Sequence, residues 1–111
     1  MIKKEINIMK LQGFKNLKEN WNDYGAPPIS HSLIDTAIKI IQEIKVQPQL
    51  FPTARNSIQL EYEKINGEYL EFELFEDKIE MYIEAQFEKD EKAFLYNEID
   101  FNKYIDEFLR D

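Results

Sequence analysis

The sequence predicts an α+β fold, an antiparallel β-meander of three to four strands with helices packed on one face. Three observations lead there. Apolar residues recur at three-four spacing over residues 32–46 and again over 98–109, as in helices that bury one stripe. From Ser57 the period changes to two, so that Ile58, Leu60 and Tyr62 alternate with Gln59, Glu61 and Glu63. Short turn signals, Asn66-Gly67 and Glu76-Asp77, separate the alternating runs and suit hairpins.

The first helix is expected over residues 3–20, where Ile6, Met9, Phe14, Leu17 and Trp21 stand at roughly helical spacing. Gly13 weakens it by about 1 kcal/mol relative to Ala, and residues 6–11 also fit a short strand. Residues 20–30 (NWNDYGAPPIS) form a loop, with Gly25 free to take positive φ and Pro27 and Pro28 holding an extended path. The second helix spans 32–46, its stripe made by Leu33, Ile34, Ala37, Ile38, Ile41 and Ile44. Ser30 or Ser32 supplies its N-cap, with Asp35 as capping-box partner of Ser32, and Pro48 ends it. Strands follow at about 57–64, 68–76, 78–87 and, more briefly, 92–96. The last helix runs over 98–109, capped by Asn97 or Asp100 and packing through Phe101, Tyr104, Ile105, Phe108 and Leu109.

Strand register follows from keeping apolar rows together. A two-residue Asn66-Gly67 turn would set Tyr62 against Glu71 and mix the two faces. A three-residue loop, Ile65-Asn66-Gly67 with Gly67 left-handed, instead sets Tyr62 opposite Leu70, Leu60 opposite Phe72 and Ile58 opposite Leu74. A Glu76-Asp77 turn then pairs Leu74 with Ile79 and Phe72 with Met81. This register puts Glu61, Glu63, Glu71, Glu73, Glu80 and Glu84 on the uncovered face, with Tyr69, Phe75 and Tyr82 among them. Glu61 opposes Glu71 and Glu73 opposes Glu80, an arrangement that costs up to roughly 1 kcal/mol per pair.

Composition bounds the function. With 111 residues the chain is expected to be one domain, 1–111. At 43% apolar and 14% aromatic residues it is too hydrophobic for a disordered acidic tail. It has no Cys and one His, which excludes disulfide frameworks, thiol catalysis and sites needing two imidazoles. No stretch of eighteen apolar residues suggests a membrane span, and the opening MIKKEINIMK lacks a signal-peptide core, so a cytoplasmic location is expected. The net charge of −8 is divided unevenly. Residues 1–56 hold eight Lys/Arg and five Asp/Glu, a balance of +3, whereas residues 57–111 hold six and seventeen, a balance of −11. Such a field repels nucleic acid and anionic lipid and draws basic protein surfaces; it also keeps a small protein soluble.

No catalytic constellation emerges. Paired carboxylates acting as acid and base need a cleft and unequal environments, which six similar Glu on an open sheet do not supply. No loop has calcium-site spacing, and the three glycines lie too far apart for a phosphate loop. The expectation is therefore no enzyme, no metal and no cofactor. His31 reads as an exposed neighbour of the helix cap. Arg55 either fixes a carboxylate across the sheet edge or contacts a partner. Trp21 reads more as a packing anchor for its loop than as an exposed contact.

Two segments carry a resemblance. Residues 21–30, Trp-Asn-Asp-Tyr-Gly-Ala-Pro-Pro-Ile-Ser, are similar to a W-[DN]-x-Y-G-A-x-P-I-S loop, and Pro52-Thr53 with Ile58-Gln59-Leu60-Glu61-Tyr62 resemble a P-T-x-x-G-x-I-x-L-E-[WY] strand entry. Both recur in a family of small bacterial and phage proteins. This chain has Asn56-Ser57 where that pattern carries a glycine before the strand. The resemblance implies the setting of a phage or mobile element, with antitoxins, immunity proteins and inhibitors of host defence as the function classes.

The leading expectation is a non-enzymatic inhibitor. Its acidic face, Glu61, Glu63, Glu71, Glu73, Glu80, Tyr82 and Glu84, would dock on the basic nucleic-acid-binding surface of a partner such as a nuclease or CRISPR effector, as an anti-CRISPR or anti-defence protein does. Direct nucleic-acid or membrane binding is not expected; homodimerisation is open. The alternative is an antitoxin- or immunity-type protein binding through Trp21, Asp23, Tyr24 and the first helix. A further alternative is a small enzyme or ligand-binding domain.

Overall fold

The computed structural model describes residues 2–110. Its element order is α1 (Lys3–Phe14), α2 (His31–Glu43), β1 (Gln49–Pro52), β2 (Ile58–Glu63), β3 (Tyr69–Leu74), β4 (Ile79–Ala85), β5 (Glu88–Phe94) and α3 (Phe101–Leu109). The five strands form one antiparallel sheet in the order β1-β2-β3-β4-β5. The fold is α+β, with five strands where three to four were expected.

The register is the one that keeps the apolar rows together. Tyr62 faces Leu70, Leu60 faces Phe72, Ile58 faces Leu74, and Leu74 faces Ile79. The β2–β3 loop is the three-residue form, with Gly67 at φ 91° and Lys64 N–H donating to Glu68 O at 2.9 Å. Residues 6–11 are helical.

The extra strand is β1. Its four residues follow Pro48 and end on Pro52, in a stretch where the sequence pattern predicts no strand. Leu50 nevertheless pairs with Leu60 and is fully buried. The last strand lies at 88–94 rather than 92–96, and β4 ends at Ala85 because the chain turns at Gln86-Phe87. Its sequence EKDEKAF shows no alternation, since six of its seven residues are exposed. A strand uncovered on both sides has no buried row to reveal it.

Helix ends differ as well. Past Phe14, α1 tightens into i→i+3 bonds from Lys15, Asn16 and Leu17, and Asn20 at φ 65° breaks the path. Its buried side is Asn7, Leu11 and Phe14, while Ile6 and Met9, assigned to the apolar stripe, face solvent. The Asn7 amide donates to Gln47 Oε1 (2.9 Å) and Pro48 O (3.0 Å), tying α1 to the entry of β1. Helix α2 is capped by Ser30, whose Oγ accepts from Leu33 N–H at 3.3 Å. Asp35 does not close a capping box; it pairs with Lys15 Nζ at 2.7 Å. α2 stops at Glu43 because Ile44 turns extended on the way to Pro48, and the Gln47 amide takes up the freed carbonyls of Ile41 and Ile44. Asp100 caps α3, which begins at Phe101.

α2 and α3 cover one sheet face. Leu33, Ile34, Ala37, Ile40 and Ile41 of α2 and Ile105 and Phe108 of α3 share a core with Leu60, Leu70, Phe72, Leu74 and Ile79. Phe101 meets Phe72 edge-on at 5.1 Å between ring centroids. Asn102 clips the two helices together, accepting from Lys45 N–H and donating to Glu43 O. Among the described residues no helix is long and apolar enough to cross a membrane.

Candidate functional site

With one face covered, alternation sends every second strand residue to the other. Three rows cross this uncovered face: Gln49, Glu61, Glu71, Tyr82 and Glu91; Phe51, Gln59, Glu73, Glu80 and Ala93; and Glu63, Tyr69, Glu84 and Lys89. All seven residues expected on the acidic surface lie on it. Their surroundings differ sharply.

Glu73 is 7% exposed and is committed within the fold. Its Oε2 accepts from Arg55 Nε at 2.9 Å and from Ser57 Oγ, and the Ser57 hydroxyl also contacts Thr53 Oγ1. Burial pushes the Glu73 carboxyl up, but the hydrogen bonds from Arg55 and Ser57 outweigh it and hold the pKa below the usual range. Its role is to fix the β1–β2 loop. It therefore leaves the set of residues available to a partner. Arg55 thus does bind a carboxylate across the strands. Its side chain remains 57% exposed among the acids.

Glu61 and Glu71 oppose each other and are half-buried. Their partners are neutral donors. The Tyr69 hydroxyl donates to Glu71 Oε1 at 2.7 Å, and the Gln59 amide nitrogen donates to Glu61 Oε2 at 2.9 Å while its oxygen accepts from Arg55 Nη2 at 3.2 Å. In that amide orientation the nitrogen, a donor, meets a carboxylate and the oxygen, an acceptor, meets a guanidinium. Burial raises the Glu61 pKa; the nearby Tyr69 hydroxyl dipole offsets part of this, and the charges of Glu71 and Glu63 push it higher again. Glu80 and Glu84 carry loose exposed partners, Lys78 at 3.1 Å and Lys89 at 3.4 Å. Glu63 is exposed, and Tyr82 stacks obliquely on Tyr69 with centroids 6.2 Å apart.

Glu91 was missed as a member of this face, whereas Arg55 fixes a carboxylate as one of its two expected roles had it. Glu91 belongs to a strand without visible periodicity, and Arg55 reaches in from a loop. An open depression of about 400 Å³ on this part of the sheet is bordered by Glu71, Glu73, Glu80 and Glu91, with Tyr82 and Lys92 at its edge. Among the described residues no group of three or more acidic or His side chains is arranged to hold a metal ion.

The second candidate region, loop 21–30, is closed by its own polar atoms. Trp21 Nε1–H donates to Pro27 O at 2.8 Å, and the ring is half-buried, an anchor for the loop. Asn22 Oδ1 accepts from Tyr24 and Ala26 N–H, and Asn20 Oδ1 from Gly25 N–H at 2.7 Å. Asn20, Asp23 and Gly25 all take positive φ. The result holds Tyr24 91% exposed with Asp23 beside it. His31 is exposed at the start of α2, its Nε2 3.2 Å from Lys15 O. The two family-like segments meet where Asn56 Oδ1 accepts from Ser30 N–H at 2.8 Å. Asn56 stands at the pattern's glycine position with φ 53°, a left-handed conformation that Asn tolerates better than most residues.

No protein-family model, curated protein or solved structure matches this chain.

Proposed function

We propose that this protein is a non-enzymatic inhibitor that docks its uncovered acidic face on a basic protein surface and blocks it. The observation that carries this reading is the Glu61–Glu71 pair, two like charges held side by side and half-buried, whose hydrogen-bond partners among the described residues are the neutral side chains of Tyr69 and Gln59. A partner's Arg or Lys would neutralise both, forming the charge-assisted bonds that phosphates make to the same groups. A nucleic-acid channel of a nuclease or CRISPR effector has the required chemistry, and occlusion is the mechanism. The contact residues are Glu61, Glu63, Glu71, Glu80, Tyr82, Glu84 and Glu91. Against an enzyme, the depression is open, and its bordering Glu73 is held ionised by Arg55 and Ser57, the reverse of a general acid poised near neutrality.

A second reading is an antitoxin- or immunity-type contact through loop 21–30. The exposure of Tyr24 favours it, with Trp21 as the loop's internal support. Capture from host lysate at low and high salt tests both. The acidic-face reading expects a basic partner held only at low salt by the wild type, lost with Glu61→Gln/Glu71→Gln/Glu80→Gln and retained with Tyr24→Ala. Salt-insensitive capture lost with Tyr24→Ala selects the loop. A partner retained by both variants sinks both.

A further inference from the structure

Two hairpin tips lie side by side at one end of the sheet, the Ile65-Asn66-Gly67 loop of β2–β3 and the Gln86-Phe87 turn of β4–β5. Glu68 joins them. Its Oε2 accepts from Gln86 N–H at 2.8 Å, while its Oε1 lies 3.3 Å from Lys64 Nζ. At these tips Ile65 and Phe87 each have a relative exposure of 109%, more than any other large apolar side chain among the described residues. The two loops border an open hollow of about 550 Å³.

The backbone makes Phe87 conspicuous. Gln86 and Phe87 have φ 53° and 68°, and Ala85 pairs with Glu88 across them. This two-residue turn with both residues left-handed normally takes Asn-Gly. The neighbouring tip does place a glycine at its left-handed position, Gly67. A bulky side chain at such a position is strained, and full exposure of the ring offers no packing in return. Folding gives no reason for an aromatic there. An exposed aromatic on a tight two-residue turn is the kind of residue that anchors a protein interface.

We propose that Phe87 and Ile65 insert into an apolar cleft rimmed by Lys or Arg on the partner that the acidic face contacts. This rests on the docking reading above and assigns it an anchor. The rim chemistry follows from charge. Beside the tips Glu63, Glu68, Glu84 and Glu88 outnumber Lys64 and Lys89, and the row Glu63, Tyr69, Glu84 and Lys89 is the edge of the acidic face nearest to them. Carboxylates would then steer the encounter while the two apolar side chains slow dissociation.

The test captures the partner from host lysate at low salt with four proteins: wild type, Phe87→Ser/Ile65→Ser, Glu61→Gln/Glu71→Gln/Glu80→Gln, and Gln86→Asn/Phe87→Gly. A photoreactive phenylalanine analogue at position 87 identifies what the ring touches. The Ser pair is expected to keep the wild-type Tm and lose capture at least tenfold. The Asn-Gly turn is expected to raise Tm and lose capture too. The crosslink is expected on an apolar partner segment flanked by Lys or Arg. Capture lost only with the Glu variant overturns the anchor and leaves the docking face standing. Loss only with the tip variants supports the anchor and removes the acidic face. Undiminished capture by every variant, or no partner for the wild type, overturns both.

Discussion

Glu61 and Glu73 are two carboxylates on one sheet face with opposite effects on stability. The Glu73 pKa is held below its ordinary value by Arg55 and Ser57. The ionised form therefore adds stability at neutral pH, and that contribution is lost as pH falls through the lowered value. The Glu61 pKa is raised by burial and by Glu71 and Glu63. Its charge therefore costs stability at neutral pH, a cost relieved as pH falls through the raised value. Glu73→Gln is expected to destabilise by about 1–3 kcal/mol in urea titrations, since Arg55 and Ser57 lose a buried ionic acceptor. The variant should also show a shallower acid limb than wild type below about pH 4.5. Glu61→Gln is expected to stabilise by roughly 0.5 kcal/mol at pH 7, by removing one of two opposed charges. Equal and opposite spacing in the sequence could not separate these residues, because Arg55 reaches Glu73 from a loop whose path depends on Asn56.

At the scale of elements, legibility followed periodicity. β2, β3 and β4 could be read, register included, because one face of each is buried and a one-residue slip would invert it. β1 and β5 could not. The first is too short between its prolines to show a period, and the second meets water on both sides. The charged sequence of β5 has its own logic at a sheet edge, where Lys and Glu discourage another chain from adding a strand. Of the site, the Glu rows were legible through the register. The commitment of Glu73, the membership of Glu91 and the Gln86-Phe87 tip were not, since they depend on a loop, a non-periodic strand and a turn without turn-type residues. The β1–β2 loop tests the same point by mutation. Asn56 supplies both a left-handed backbone and a bond to Ser30 N–H. Asn56→Gly keeps the first and loses the second, whereas Asn56→Ala loses both. Thermal unfolding should therefore rank the variants wild type, then Gly, then Ala, with Ala lower than Gly by about 1 kcal/mol.

The whole molecule combines a first half of slight positive balance with a strongly negative second half, and much of the negative charge lies on one surface. Repulsion within that surface should make the fold more stable as salt rises. The Tm is expected to increase between roughly 10 mM and 500 mM NaCl, and the increase should shrink in Glu61→Gln/Glu71→Gln/Glu80→Gln. Partner capture should move the other way, weakening with salt, so the two measurements separate self-repulsion from docking. Each strand pairs with its neighbour in sequence, so the meander can assemble hairpin by hairpin. The cover of its last strands arrives out of step. Phe101, Ile105 and Phe108 belong to an element made after all five strands. Until α3 docks, the sheet can therefore close its hydrogen bonds while part of its apolar side is still bare. During that interval the folding chain presents an oily surface to chaperones and to other unfinished chains, and the docking of α3 brings it to an end.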